Sequence, residues 1–279
     1  MILRLLALVI ALGLTALLIP PVDIETTADS TLQLGDYQVR SSLVIPEITR
    51  DLSGATWSTP GNTLLVITNN PTRVLELDPA GKFIRRIELL NFHDTEGITH
   101  LGDRRYAIVQ ERRQLLTLVE IGPDTRSVDA EQSISIKIAQ ANANNRGLEG
   151  IAWSPSRGLF LANEMEPVCI LHWPVALEAL LTGNNVQPRA LPEVALEDIA
   201  GLHVAEVDQR LLVLSQESGL LLELDFDGKV LSGFNFAKDR FALRRAMRHP
   251  EGVTMDGDGR IYVVGEPNNL LILEPPSSR

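Results

Sequence analysis

Short apolar runs of strand length recur along most of the chain, separated by turns rich in glycine, aspartate, proline and serine. Runs of this length that are enriched in aliphatic and β-branched residues are typical of buried β-strands. Five comparable runs read LLVITNN, YAIVQER, LFLANEM, LLVLSQES and IYVVGEP. The pattern therefore predicts an all-β protein built from many short strands.

Each of these runs follows a short phrase centred on a glycine: DLSGATW, DTEGITH, GLEGIAW, DIAGLHV and HPEGVTM. The glycines are spaced by 43, 53, 51 and 51 residues and are Gly54, Gly97, Gly150, Gly201 and Gly252. A repeat of about 40–50 residues is the length of one four-stranded propeller blade. A third apolar strand follows in every copy, and fourth strands are predicted near residues 83, 133 and 230. We therefore expect a five-bladed β-propeller of four-stranded antiparallel blades, with six blades as the alternative.

The last copy of the repeat holds only three predicted strands, because the chain becomes polar after Leu273. The segment 36–45, DYQVRSSLVI, has strand character but precedes the first copy. We expect it to complete the last blade and close the ring, which hides the edges that an open sheet exposes. The predicted propeller domain is 36–279, preceded by a linker at 23–35.

The first 22 residues are apolar, with Arg4 as their only charge. Their length is close to the ~20 residues of a membrane-spanning helix, whereas the apolar core of a signal peptide holds about 7–15. Acidic residues follow the segment, so the positive flank places the amino terminus in the cytoplasm. We expect a signal-anchor helix in the inner membrane, with the propeller facing the periplasm. The alternative is a cleaved signal peptide and a secreted or periplasmic protein.

Composition narrows the possible functions. With 36 acidic and 25 basic residues the net charge is -11, which argues against nucleic acid as a partner because phosphate binding requires a basic surface. The single cysteine, Cys169, excludes a disulfide framework and a thiolate metal cluster. The sequence contains neither a serine nucleophile elbow nor a glycine-rich phosphate loop. No site for an organic cofactor is predicted, and the motifs assign no catalytic residue.

Two positions of the repeat carry glutamate more often than packing requires. Before the glycine, three copies have Glu96, Glu149 and Glu251, and the other two have Ser53 and Ala200. At the end of the second strand, four copies have Glu111, Glu164, Glu217 and Glu266, and the first has Asn70. Because the first two strands of a blade are antiparallel, both positions lie at the same end of the blade. We therefore predict that seven glutamates converge on one mouth of the central channel.

Carboxylates gathered this closely repel one another unless a cation lies among them or some of them stay protonated. Calcium accepts 6–8 oxygen ligands with loose geometry, whereas magnesium requires a tighter octahedron and zinc usually recruits histidine or cysteine. We predict a calcium ion bound by these seven glutamates. The alternative is that they form hydrogen bonds to neighbouring blades or keep the mouth soluble.

The phrases DTEGITHLGDRRYAIVQER, LEGIAWSPSRGLFLANEMEP, IAGLHVAEVDQRLLVLSQES and HPEGVTMDGDGRIYVVGEPN resemble the SdiA-regulated, YjiK-like family of bacterial envelope proteins. The resemblance covers roughly residues 36 to 279. It implies a five-bladed propeller distantly similar to NHL repeats, a membrane-anchoring amino terminus and a calcium ion, and it implies no established activity. Ser53 and Ala200 depart from the glutamate pattern, so we expect the ion off-centre, nearer Glu96, Glu149 and Glu251.

Two functions remain open from the sequence. The first is a membrane-tethered, calcium-binding scaffold or binding protein of the envelope, with an unknown small-molecule or protein ligand. The second is a calcium-dependent hydrolase, such as a lactonase, esterase or phosphodiesterase, in which the ion polarises a carbonyl or activates water. In that case Glu111, Glu164 and His249 are the candidate general bases.

Overall fold

The computed structural model describes residues 24–138, 147–164, 167–182, 188–236, 247 and 249–277. These residues form twenty-one strands, one α-helix and two short 3-10 helices. The predicted signal anchor at residues 1–22 lies outside the described part of the chain. Within that part, none of the helices has both the length and the apolar character needed to span a bilayer.

The strands form five sheets, which are the blades of the propeller. The strands of each blade are given from the inner strand, which lines the channel, to the outer strand. The first strand of the chain, β1 (Gln38–Val44), joins the last blade. Blade 1 comprises β2 (Leu52–Ser58), β3 (Thr63–Thr68), β4 (Arg73–Leu77) and β5 (Phe83–Leu90). Blade 2 comprises β6 (Thr95–Gly102), β7 (Arg105–Gln110), β8 (Leu115–Glu120) and β10 (Ile134–Lys137). Blade 3 comprises β11 (Leu148–Ser154), β12 (Gly158–Asn163), β13 (Cys169–Trp173) and β14 (Arg189–Ala190).

Blade 4 comprises β15 (Gly201–Ala205), β16 (Arg210–Ser215), β17 (Leu220–Leu224) and β18 (Val230–Asn235). Blade 5 comprises β19 (His249–Met255), β20 (Ile261–Glu266) and β21 (Asn269–Glu274), with β1 outermost. β1 runs antiparallel to β21, with Val39 opposite Leu273. The all-β, five-bladed propeller is confirmed, and β1 closes the ring in the way predicted for residues 36–45.

Two blades depart from the regular pattern. Blade 1 gains a short fifth strand, β9 (Ser127–Asp129), which runs parallel to β5 and precedes a 3-10 helix at Ala130–Gln132. In blade 3 the outer strand β14 has only two residues, and an α-helix, α1 (Leu177–Leu181), comes before it. So short a strand carries no alternating pattern, which is why the sequence did not predict it.

The repeated glycines lie where neighbouring inner strands approach most closely around the channel. A Cβ atom at Gly54 would lie 2.5 Å from the carbonyl oxygen of Glu96, and one at Gly97 would lie 2.5 Å from that of Glu149. At Gly252 the same atom would lie 2.7 Å from Gly54 Cα. Any side chain here would push the blades apart, so the glycine of each phrase is a packing requirement of the ring.

Two residues after the repeat glycines, threonine hydroxyls join neighbouring blades. Each hydroxyl oxygen accepts a hydrogen bond from a backbone N–H of the next inner strand, linking blade 5 to blade 1, blade 1 to blade 2 and blade 2 to blade 3. The pairs are Thr254 with Trp57 at 2.9 Å, Thr56 with His100 at 3.0 Å and Thr99 with Trp153 at 3.2 Å.

Residues 24–36 pack against the propeller, which corrects the prediction of a linker at 23–35. Leu32 and Leu34 are fully buried in the core between blades 4 and 5. Burying a leucine side chain contributes about 1.5–3 kcal/mol. A single 3-10 turn, Leu34–Asp36, then leads into β1. This N-terminal strap, residues 24–36, is therefore part of the folded domain.

A buried carboxylate on β17 holds the strap in place. Glu223 has no exposed surface, and the guanidinium of Arg210 lies 3.3 Å from it. Its carboxylate accepts hydrogen bonds from Ser30 Oγ at 2.5 Å, Thr31 N at 2.9 Å, Leu32 N at 3.2 Å and Ser232 Oγ at 2.5 Å. The strap thus supplies most of the donors that this internal charge needs.

Candidate metal centre

Three of the predicted glutamates line the mouth of the central channel together with the repeat glycines. Glu96, Glu149 and Glu251 stand at the start of β6, β11 and β19, just before the strands narrow the channel. The cavity among them has a volume of about 10 Å³, close to the room that a single water molecule needs. A channel of this size accommodates ions and waters at its mouth better than a large organic ligand.

The carboxylates of blades 2 and 3 form two overlapping groups. Asp94, Glu96 and Glu111 each present an oxygen within 4.8 Å of the others. Glu111, Glu149 and Glu164 do the same. Glu111 belongs to both groups and is only 2% exposed. The structure therefore brings together four of the seven predicted glutamates and adds an aspartate.

Few hydrogen-bond donors face these carboxylates among the described residues. Asn69 Nδ2 donates to Glu96 Oε1 at 2.8 Å and to Asp94 Oδ1 at 3.1 Å. The backbone N–H of Gly147 donates to Glu111 Oε1 at 2.8 Å. In the described part of the chain no hydrogen bond reaches the carboxylates of Glu149 or Glu251. Arg112 balances part of the cluster's negative charge through its 3.1 Å ion pair with Asp94, whereas the described residues supply no such partner to Glu96, Glu149 or Glu251.

The pKa values follow from this arrangement. Burial is the largest cause and raises the pKa of Glu96 to about 8, with Asp94 and Glu111 adding to it and a hydrogen bond from Ser53 opposing it. Burial, and then the charge of Glu266, raise the pKa of Glu251 to about 9.

Burial and the charges of Glu96 and Glu251 raise the pKa of Glu149 well above its ordinary range. Burial also raises the pKa of Glu111, although the hydrogen bond from Gly147 opposes this. Without a cation, the cluster therefore holds protons at neutral pH.

Comparison with known proteins places the chain in a family. The family model for SdiA-regulated proteins matches residues 29–274. The chain belongs to the SdiA-regulated family. The resemblance noted from the sequence is confirmed, and the match includes residues 29–36 of the N-terminal strap.

Solved structures support the architecture of this SdiA-regulated protein. A gluconolactonase from Xanthomonas campestris superposes with a TM-score of 0.56 at 16% identity, covering 91% of this chain and 95% of the other. Regucalcin from Agrobacterium tumefaciens, described as a calcium-binding protein, gives 0.54 at 10% identity, covering 84% and 94%. The chain spans 65% of the length of a streptogramin B lyase, with a TM-score of 0.46. At these identities the similarity concerns the fold alone.

Strand register shows which residues are equivalent at the end of the second strands. The backbone N–H groups of Glu111 and Glu164 bond to the carbonyl oxygens of the residues three before the repeat glycines, at 2.9 Å and 2.8 Å. In blade 1 it is Asn69, not Asn70, that makes this bond, to Asp51 at 3.0 Å. Asn69 is therefore the blade 1 counterpart of the glutamates, and it reaches the cluster as a donor.

In blade 4 the strand register makes Gln216, not Glu217, the residue equivalent to these glutamates. Gly201 pairs with Leu214 and Gly252 pairs with Val264, so Gln216 is the counterpart of Glu266. Glu217 lies one residue farther on, is exposed, and is outside both carboxylate groups. Glu266 is outside both groups too, but its charge is close enough to affect Glu96 and Glu251.

An aspartate three residues before the repeat glycine is a further functional position that the sequence analysis did not predict. The phrases DLSG, DTEG and DIAG share it, so the signal was present. Asp94 accepts hydrogen bonds from Asn69 and from the backbone of Arg112, whose guanidinium lies 3.1 Å away. Asp198 accepts bonds from Ser215 Oγ and from two backbone N–H groups of the β16–β17 turn. The position thus anchors a turn, and in blade 2 it also faces the cluster.

The remaining candidate base, His249, lies on the rim. It is the first residue of β19, pairs in register with Glu266 and is exposed. It belongs to neither carboxylate group. Glu111 and Glu164 are the two candidate bases that the fold brings into the cluster.

Proposed function

We propose that this protein binds a calcium ion through the carboxylate cluster at the channel mouth and acts as a binding protein of the bacterial envelope. The observation that carries the proposal is the pair of carboxylate groups that share the buried Glu111. Five acidic side chains meet there with few internal donors. A divalent cation would supply the missing positive charge.

The chemistry of the ligands fits a hard cation. Both groups offer only carboxylate oxygens, and neither includes a histidine or a cysteine among the described residues. Oxygen ligands suit calcium, whereas zinc sites usually contain nitrogen or sulfur. Asp94, Glu96, Glu111, Glu149 and Glu164 would hold the ion. Its binding would displace the protons that the raised pKa values imply.

Two further points support this function. The Agrobacterium tumefaciens regucalcin with the same fold is described as a calcium-binding protein. The apolar segment at residues 1–22 supports a tether in the inner membrane, with the propeller in the periplasm. If the tether exists, the full-length chain stays with membranes after an alkaline carbonate wash, and a chain that begins at residue 24 is released.

The test of the metal centre uses the full-length chain purified in mild detergent without added metal. Elemental analysis should find calcium, and calcium should raise the melting temperature relative to excess chelator. A ligand present at 100 times its dissociation constant stabilises by about 2.7 kcal/mol. Glu149→Gln should abolish most of this shift. Glu217→Gln, an exposed glutamate outside the cluster, should preserve it. Equal melting temperatures with calcium and with chelator would refute the metal centre.

A calcium-dependent hydrolase is the second candidate. The structures with this fold include a gluconolactonase and a luciferin-regenerating enzyme, the latter with a TM-score of 0.52 at 12% identity. Glu111 and Glu164 lie where a general base would be needed, beside the proposed ion. A panel of lactones, aryl esters and phosphodiesters should then show turnover that requires calcium and is lost in Glu149→Gln. Rates equal to the uncatalysed background for every substrate would reject the hydrolase, and binding would remain as the proposed function.

A further inference from the structure

A second cavity lies between blades 1 and 2, at the end of the inner strands opposite the metal centre. Its volume is about 210 Å³. Ser58, the last residue of β2, and Tyr106 on β7 form part of its wall, together with Glu76, Arg85 and Arg104. Five residues of extended strand separate Ser58 from the mouth position Ser53, about 16 Å. The two sites are therefore distinct.

A buried ion pair forms the rigid part of this cavity. Arg85 Nε lies 2.5 Å from Glu76 Oε2, and both side chains are about one-seventh exposed or less. The two terminal nitrogens of Arg85 donate to the carbonyl oxygens of Thr125 at 2.7 Å and Gly122 at 2.9 Å. Thr63 Oγ1 donates to the other oxygen of Glu76 at 2.7 Å. These two charges neutralise each other, so they add no net charge to the cavity.

Two buried hydroxyl groups face the cavity with hydrogen-bonding capacity to spare. Ser58 Oγ and Tyr106 Oη lie 2.7 Å apart, and the residues are 5% and 2% exposed. One hydroxyl proton lies between the two oxygens. The described residues offer no acceptor for the other proton, which is free to bond to a molecule in the cavity.

Arg104 brings a positive charge to the exposed edge of the cavity, where Asp103 also forms part of the wall. Its side chain lies against Gly122, where an added Cβ would come within 3.4 Å of Arg104 Cδ. Asp103 and Arg105, on either side of it, pair with each other at 2.9 Å. In the described part of the chain the guanidinium of Arg104 has no hydrogen bond and no ion pair. It is therefore available to an anionic ligand.

We propose that this cavity binds a small hydroxylated carboxylate, of the class of sugar acids and hydroxy acids. The carboxylate bonds to Arg104, and the hydroxyl groups bond to the Ser58–Tyr106 pair. Pockets for drug-sized ligands measure about 300–1,000 Å³, so 210 Å³ corresponds to a smaller molecule. This site does not depend on the metal centre.

The test is calorimetric titration of the full-length chain in mild detergent with sodium D-glucuronate and, as the neutral counterpart, D-glucose, both in the presence of chelator. Glucuronate should bind saturably and about tenfold more tightly than glucose, because a hydrogen bond to a charged group contributes more than a neutral one. Arg104→Gln should remove that difference and leave glucose binding unchanged. Tyr106→Phe should weaken both ligands about threefold or more. Arg189→Gln, on the outer strand of blade 3, is the matched control and should bind like the wild type.

The outcomes separate this proposal from the metal centre. Absence of saturable glucuronate binding would overturn it, and so would unchanged affinity in Arg104→Gln. Binding that appears only when calcium replaces chelator would place the ligand at the channel mouth and would also overturn it. If chelator removes the calcium-dependent stability but leaves glucuronate binding intact, the cavity stands as a separate site.

Discussion

The carboxylate of Glu223 and the carboxylates at the channel mouth have opposite surroundings. Burial raises the pKa of Glu223, but hydrogen bonds from Ser232, Ser30 and the strap backbone more than offset this, so its pKa lies below the ordinary value. At the channel mouth, burial and neighbouring carboxylates raise the pKa values of Glu96, Glu149 and Glu251. The same type of side chain is thus stabilised as an anion in one place and not in the other.

The difference lies in the donors. Two hydroxyls, two backbone N–H groups and the Arg210 guanidinium surround the single charge of Glu223. The amide of Asn69, the hydroxyl of Ser53 and one backbone N–H serve the two carboxylates of Glu96 and Glu111 at the mouth. The same fold thus surrounds one carboxylate with donors and supplies few donors to the several carboxylates at the channel mouth. This difference favours an external cation at the channel mouth.

The largest effect is expected from removing the internal carboxylate. Glu223→Ala leaves the Arg210 charge and several buried donors unpaired, so it should lower the free energy of unfolding by about 3–5 kcal/mol. Urea denaturation measures the change. The exposed Glu217→Ala is the control and should stay within about 0.5 kcal/mol of the wild type. A loss below 1 kcal/mol for Glu223→Ala would mean that hydrogen bonds to this carboxylate do not hold the strap.

Glu149→Gln should have effects of opposite sign with and without calcium. In chelator it removes a group whose pKa burial and the neighbouring carboxylates raise, so the variant should melt at a higher temperature than the wild type at neutral pH. With calcium it removes a ligand, so the variant should melt below the wild type. Glu217→Gln should follow the wild type in both conditions. A variant that melts lower than the wild type in chelator as well would assign Glu149 an ordinary structural role.

Much of the fold could be predicted because one packing constraint repeats. The backbone of each inner strand approaches that of its neighbours so closely that Gly54, Gly97 and their counterparts cannot carry a side chain. The same glycine-centred phrase therefore recurs five times in the sequence. The outer strand β1 was predictable for a related reason, since three strands in the last copy require a fourth. Glu96 and Glu149 could be placed at the mouth because they stand next to those glycines.

What could not be predicted depends on contacts that occur once. The strap has no repeat counterpart, and Glu223 sits within LLLELDF, where nothing in the pattern shows that Ser30 will bond to it. The positions of Asn69 and Gln216 depend on strand register: Gly54 pairs with Ile67 and Gly201 with Leu214, 13 residues later, whereas Gly252 pairs with Val264, 12 residues later. Two neighbouring polar residues at the end of a strand cannot be distinguished without that register.

A third ionisable group whose pKa burial shifts is His203. It stands two residues after Gly201, the position of Thr56, Thr99 and Thr254 in three other blades, and its Nδ1 lies 3.3 Å from the hydroxyl of Thr254. Burial lowers its pKa from 6.5 to about 4. The folded protein therefore holds the neutral ring, and the unfolded chain takes up the proton first as the pH falls.

The contribution of the neutral His203 ring to the free energy of unfolding is fully present above pH 6.5 and is lost as the pH falls toward 4. Between pH 6.5 and 5 the loss amounts to about 2 kcal/mol. His203→Thr installs the residue found in three of the other blades, so it should reduce the loss by that amount. Urea unfolding at pH 7 and pH 5 measures it, and subtracting the variant from the wild type cancels the contributions of Glu223 and the mouth glutamates, which both proteins share. Identical pH dependence in the two proteins would show that the folded structure accommodates a charged His203, and that uncompensated burial of charge in this propeller is confined to the channel mouth.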